Sequence, residues 1–282
     1  MTTSMDAGKP ALVLSEYVAM KVRLRDALRP FSPVEFVASE YDLQQRLHGP
    51  VRLVIVHGAT PYADARLPAR LRHAAGDLPA PMIIVASSRE PAWRGANELV
   101  ASGQVDDVLW TDTERVDALL AAWTLHGAAC RRKVEALRLA HASVPEKLHP
   151  FMEDLLLGDP ESLTVAAWAA RKGDPSRFSL HRELAKKGVA PSTLVEVARM
   201  LNIVARTLAR GTSQIEGRLP PMPDARAARR LLARTLGLTP SEMTDIARQQ
   251  GAEVVRERVR HAVGAMLREG NGRTAADARD AG

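Results

Sequence analysis

The sequence predicts a two-part chain: a doubly wound α/β domain on a five-stranded parallel sheet, followed by an all-α domain. Three observations predict it. Between Ala11 and Trp110, five short apolar runs rich in β-branched residues alternate with helix-length segments, as parallel strands with crossover connections require. Beyond Ser143 the apolar residues instead follow helical spacing. Positive charge also gathers late: 17 basic residues face 16 acidic ones up to Ser143, against 22 and 17 in the remainder.

In chain order, Ala11 to Glu16 (ALVLSE) is a compact apolar run and reads as the first strand. An amphipathic segment from Tyr17 to Leu28 forms the first helix, ended by the Pro30/Pro33 break. A short strand at Val34 to Ala38 and a helix at Tyr41 to His48 come next, then a strand at Val51 to Val56 bounded by Pro50 and Gly58. Leu67 to Ala75 is helical, and Pro81 to Ala86 is a β-branched run of the kind buried on both faces of a sheet. A helix at Ala92 to Ser102 and a last strand at Val105 to Trp110 complete the set, and Thr111 to Ser143 reads as one long helix.

The 282-residue chain carries 46% apolar, 26% charged and 4% aromatic residues, with 18 glycines and 18 prolines. These values exclude a collagen, a globally disordered chain and a disulfide scaffold. Its single cysteine, Cys130, supplies neither an intrachain disulfide nor a multi-cysteine zinc site. No apolar run approaches the ~18 residues of a membrane span, and the N-terminus lacks the basic and apolar regions of a signal peptide. A cytoplasmic protein without a membrane partner is expected.

The order and spacing of elements over residues 9–125 resembles the receiver domain of bacterial response regulators, a flavodoxin-like fold. In that family an acidic pair follows the first strand and binds magnesium, an Asp ending the third strand is phosphorylated, and a Lys-Pro follows the fifth strand. Here Ser15 and Glu16 stand at the acidic pair, His57 at the Asp, and Thr111-Asp112 at the Lys-Pro, with Ala86, Ser87 or Ser88 at the family's Ser or Thr. The changes remove the attacking carboxylate, a hard oxygen ligand and the phosphate's counter-charge. The resemblance is therefore to a pseudo-receiver with a degenerate site at Glu16, His57 and Thr111. No metal or cofactor is expected, and control independent of Asp phosphorylation is.

Along the long helix, Val116, Leu120, Trp123, Gly127, Cys130, Val134, Leu137 and His141 recur at alternating spacings of four and three. This is a coiled-coil-like seam, weakened by Gly127 and His141. The seam residues Val116, Leu120, Trp123, Cys130, Val134 and Leu137 are expected to pair in a homodimer, unless the first part packs on the sheet and the rest merely spans to the next domain.

From Arg171 to Arg234 there are 14 Lys or Arg against 5 Asp or Glu, a charge footprint suited to a polyphosphate backbone or to a solvated basic face. Within it, a helix from Leu163 to Lys172 closes on Gly173, Asp174-Pro175 turns, and Ser176 caps a second helix to Lys187, closed by Gly188. Val165, Trp168, Ala169, Leu180 and Leu184 face inward. Phe178, His181 and Arg182 share one outer face at i, i+3 and i+4. On a helix lying in the major groove, Arg182 would fork onto guanine, His181 would donate to an acceptor and Phe178 would pack on a thymine methyl, while Arg177 and Lys186 suit phosphates.

The long helix of Ala190 to Ala209 follows, with apolar Leu194, Val197, Leu201, Val204 and Leu208. After it, Ala225 to Met243 carries an Arg-rich helix and a Gly-x-Thr-Pro turn. Taken together, Ser162 to Met243 resembles the DNA-binding domain of AraC/XylS-type transcription regulators, in which two helix-turn-helix units are joined by a long helix. Leu180, Arg182, Leu184, Gly188, Arg199, Gly237, Thr239 and Pro240 carry the match. The resemblance implies that Phe178, His181 and Arg182 read bases. The second unit departs from the pattern, because Pro220, Pro221 and Pro223 stand where its first helix belongs. Arg226, Arg229, Arg230 and Arg234 are then left chiefly for phosphates, and specificity would need a dimer. Thr244 to Arg268 reads as one further helix.

The expected layout is a disordered start (1–8), the receiver-like domain (9–125), a linking and dimerisation helix (113–143), the helix-turn-helix domain (144–268) and a disordered tail (269–282). The expected function is sequence-specific binding of double-stranded DNA by a homodimeric transcription regulator, with a regulatory protein or ligand acting at the receiver-like domain. The competing expectation is a protein-interaction adaptor whose DNA-binding domain has degenerated. No P-loop, GxGxxG, HExxH or GxSxG motif supports an enzyme.

Overall fold

The computed structural model describes residues 8–61, 63–75, 80–93, 95–126, 131–158, 164–173, 177–212 and 225–280. The chain divides into two compact units, Met1–Arg131 and Arg132–Gly282.

The first unit is built on five parallel strands, β1 (Ala11–Leu14), β2 (Val34–Val37), β3 (Leu53–His57), β4 (Met82–Ala86) and β5 (Asp107–Trp110). Their spatial order is β2-β1-β3-β4-β5. Ala11 pairs with both Val34 and Leu53, Val54 with Met82, and Ile83 with Asp107. Strands β1, β3 and β4 are buried along their whole length, which is why they read as continuous apolar runs rather than alternating ones. The order reverses between β1 and β3, so the ends of those two strands flank the crevice characteristic of doubly wound sheets.

Helices α1 (Val18–Leu28), α2 (Glu40–Arg46), α3 (Leu67–Ala75), α4 (Ala96–Ala101) and α5 (Val116–His126) flank the sheet. Helix α1 turns Leu24 and Leu28 inward and packs along α5, where Arg23 Nε meets Asp117 at 2.9 Å. Helix α2 starts where the Ser39 hydroxyl accepts the Asp42 N–H, a side-chain cap. Arg70 of α3 then pairs with Glu40 at 2.9 Å and with Asp64 at 3.1 Å.

Two expected helices of this unit are shorter than their sequence patterns. The Ala92 to Ser102 segment is a short 3-10 turn, Pro91–Trp93, followed by α4, because Gly95 takes a left-handed φ of 80° between them. The helix expected from Thr111 begins only at Val116. Ahead of it, the Glu114 carboxylate accepts the Trp110 N–H at 2.7 Å and folds the chain into a turn.

The second unit is helical: α6 (Arg131–Ser143), α7 (His149–Leu157), α8 (Val165–Arg171), α9 (Phe178–Ala185), α10 (Pro191–Thr212), α11 (Ala225–Leu236), α12 (Pro240–Gln250) and α13 (Ala252–Asp280). Whether α5 and α6 are continuous falls on residues 127–130, outside the described residues. Helix α10 is the hub, packing against α7, α8, α9, α11, α12 and α13. Its expected apolar stripe of Leu194, Val197, Leu201, Val204 and Leu208 is buried.

The helix expected from Thr244 to Arg268 is divided. Gly251, at φ 92°, ends α12 and lets α13 start afresh. Helix α13 then continues through the polar segment expected to lack structure, as far as Asp280; that stretch includes good helix formers in Ala275, Ala276 and Ala278. Among the described residues no helix is long and apolar enough to cross a membrane.

Candidate nucleic-acid interface and strand-end site

Helix α8 begins where the Thr164 hydroxyl accepts the Ala167 N–H at 3.0 Å and closes on Gly173 at φ 71°, as expected of a C-terminal glycine. Trp168 anchors it. Its indole N–H donates to Asp154 of α7 at 2.7 Å, and its ring meets Phe151 edge-on at 6.2 Å. Lys172 adds an ion pair to Asp154 at 3.3 Å.

The expected turn at Asp174-Pro175 and the expected Ser176 cap lie outside the described residues. The residue flanking α9 is Arg177, which makes no side-chain cap. It is the one described non-glycine residue with positive φ, at 61°. The helix therefore starts at Phe178 rather than at residue 177. At its other end the Val189 N–H reaches back to the Leu184 carbonyl at 3.1 Å while Gly188 turns left-handed, a Schellman closure.

Burial sorts the residues of these two helices. Trp168, Ala169, Leu180 and Leu184 are buried, while Val165 is only half-buried. Phe178 is 71% exposed, and Arg177, His181, Arg182 and Lys186 are exposed as well. Phe178, His181 and Arg182 thus form one surface opposite the Leu180/Leu184 stripe.

Helix α11 carries the second cationic row. Ala228 and Leu232 are buried, and Arg226, Arg229, Arg230 and Arg234 are exposed on the other side. Arg234 forms an ion pair with Glu196 of α10. The Gly-x-Thr-Pro turn joins α11 to α12: Gly237 has φ 64°, and Thr239 and Glu242 form a reciprocal capping box. The prolines at 220, 221 and 223 lie outside the described residues.

At the carboxyl end of the sheet, His57 is buried and its Nδ1 lies 3.2 Å from the Ser15 hydroxyl. Tyr17 meets the imidazole edge-on at 5.2 Å. Burial holds the His57 pKa below its ordinary value and so favours the neutral ring. Next to it, Gly58 is closed over. Its carbonyl accepts the Trp93 indole N–H at 3.0 Å, and a Cβ at residue 58 would come within 2.5 Å of Trp93 Nε1, 2.6 Å of Ala86 Cβ and 2.8 Å of Glu90 Oε2. That carboxylate oxygen is buried without a hydrogen-bond partner. Burial raises the Glu90 pKa, a Ser87 N–H opposes the rise and the Asp112 charge adds to it. Asp112 goes the other way, held low by the Ser88 N–H and hydroxyl. Glu16 is exposed and Thr111 half-buried. Trp93, Ala86 and Glu90 thus crowd the space at Gly58, just past the end of β3.

The expected dimer seam is covered within the single chain. Val116, Leu120, Trp123, Val134 and Leu137 are all buried, and Cys130 lies outside the described residues. Trp123 uses its indole N–H on Asp107 at 3.0 Å.

Trp93, Glu90, Asp154 and Glu196 were not legible as site residues, because each acts through a partner distant in sequence and carries no local motif. The nearest signal was Gly58 itself, a glycine at a strand end that marks close approach by another group. Among the described residues no group of three or more His, Cys, Asp or Glu is placed to hold a metal ion. The chain matches no protein-family model and no curated protein.

Proposed function

We propose that this chain is a sequence-specific regulator of transcription that binds double-stranded DNA through α9 and, more weakly, α11, and that its pseudo-receiver unit works without Asp phosphorylation. The observation that carries the reading is the shared exposed surface of Phe178, His181 and Arg182 on α9, backed by the buried Leu180 and Leu184 that fix the helix from behind. Such a surface matches a recognition helix that presents base-contacting side chains from its first two turns. The Arg row of α11 would add phosphate contacts without sequence information. The closed strand end at His57, Gly58, Trp93 and Glu90 supports control by a partner, a ligand or abundance rather than by phosphoryl transfer.

Selection of bound genomic fragments supplies the duplex, and titration across salt tests the reading. Affinity is expected to fall steeply with salt, by a slope of about −0.9 per neutralised phosphate. Arg182→Ala is expected to reduce discrimination between preferred and altered sites by roughly 1–3 kcal/mol. Lys186→Ala is expected to weaken all duplexes alike and flatten the slope by about one. Affinity without salt dependence refutes DNA as the partner and leaves the protein-interaction adaptor. Salt-dependent binding untouched by both changes refutes α9 as the reader.

A further inference from the structure

The four arginines of α11 are not equivalent. Arg234 is held by Glu196 of α10, a position that its own sequence neighbourhood does not mark. Arg226, Arg229 and Arg230 share the exposed side with it, and no ion pair joins them to a carboxylate among the described residues. Both members of the pair are accessible to solvent, with side chains 66% exposed at Arg234 and 39% exposed at Glu196. Cations condensed on a duplex are released where a basic side chain neutralises a phosphate, so an arginine engaged by a carboxylate of its own chain releases fewer of them.

We infer that Glu196 acts as a built-in counter-ion that withholds Arg234 from the DNA backbone and so sets the strength of sequence-independent binding. The inference rests on the DNA-binding reading and concerns the regulation of that same surface. Physically, α10 and α11 pack together, so Glu196 travels with the row and competes with phosphate for Arg234. The pair is exposed and therefore individually weak. It acts as a tuning element rather than a lock: it removes one contact from the row, and any modification or partner that engaged Glu196 would return that contact.

The test needs no knowledge of the operator, because the phosphate contribution is the same on any sequence. The full chain is titrated against one unrelated 20-bp duplex (about two turns, an arbitrary probe length) at several salt concentrations, as wild type, Glu196→Gln and Glu196→Gln/Arg234→Gln. Glu196→Gln is expected to steepen the logarithmic salt slope by about 0.9. This makes affinity fall roughly 3.5-fold more than wild type between 50 and 200 mM salt. The double variant is expected to return to the wild-type slope. An unchanged slope in Glu196→Gln overturns the inference while leaving the DNA reading intact. So does a double variant that keeps the gain, which would trace the gain to the lost negative charge alone. So does a double variant that falls below wild type, which would show Arg234 already on the phosphate. If none of the three proteins binds the duplex with a salt dependence, the DNA reading fails and this inference with it. Matching far-UV circular dichroism and unfolding midpoints establish that the variants are folded.

Discussion

Replacing Gly58 by Ala tests whether the end of β3 is sealed. Gly58 does not have a left-handed φ, since it is absent from the positive-φ glycines, so alanine can adopt its backbone and any cost is one of space. The added Cβ would lie 2.5 Å from Trp93 Nε1, 2.6 Å from Ala86 Cβ and 2.8 Å from Glu90 Oε2, where ordinary contact between heavy atoms is about 3.5–4 Å. The neighbours would therefore have to retreat by roughly 1 Å. Glu90 can swing away, but Ala86 is fixed by the pairing of β4 with β5, and Trp93 would lose its bond to the Gly58 carbonyl. Overpacking of this kind costs about 1–3 kcal/mol. For a unit of this size the corresponding loss in Tm is roughly 3–15 °C. Three of the four tryptophans, Trp93, Trp110 and Trp123, belong to the first unit, so thermal unfolding followed by tryptophan fluorescence reports chiefly on it. A Tm within about 1 °C of the parent would refute the sealed strand end, and with it the structural support for phosphorylation-independent control.

Two further outcomes follow from burial. Because His57 has its pKa lowered by burial, its contribution to stability is complete above the unfolded value of 6.5 and is lost as pH falls toward and through the folded one. Urea midpoints of the first unit are expected to drop between pH 7 and pH 5, and His57→Asn is expected to flatten that drop; Glu90, raised by burial, runs in the opposite sense and is untouched by the substitution. An equally steep drop in the variant would remove His57 as the cause. Leu184→Ala truncates a fully buried side chain behind the proposed reading surface and is expected to lower stability in urea denaturation by about 2–5 kcal/mol. A change under about 0.5 kcal/mol, typical of surface positions, would mean that α9 is not seated by this residue.

Much of the sheet was legible because parallel strands buried on both faces cannot alternate, so ALVL, LVIV and MIIVA stand out from their surroundings. Helix ends were legible where a glycine had to turn left-handed, as at Gly173, Gly188 and Gly237. Gly95 and Gly251 also have positive φ, the second with an extended ψ of 151°, yet each sits inside an apolar periodicity that reads through it, so the sequence pattern does not mark these two breaks. The inner and outer faces of α9 followed from spacing alone, since Leu180 and Leu184 are four residues apart and the outer trio is offset from them. The start of α9 is not marked in the sequence: Arg177 takes the left-handed conformation there, and side-chain chemistry gives little reason for an arginine at such a position.

The sequence by itself determined the two-part organisation, the parallel sheet and the outward set Phe178, His181 and Arg182, because periodicity and glycine placement are local constraints that act before distant residues meet. The tertiary structure alone decided what the local pattern leaves open. Val116, Leu120, Trp123, Val134 and Leu137, whose spacing by itself suits a partner helix, are buried. The end of β3 is closed by Trp93 and Glu90, residues more than thirty positions downstream, and Arg234 is paired with Glu196 across two helices. The physical reason is the same in each case. A side chain's partner is set by which surfaces pack together, and packing joins residues that no short window of sequence contains.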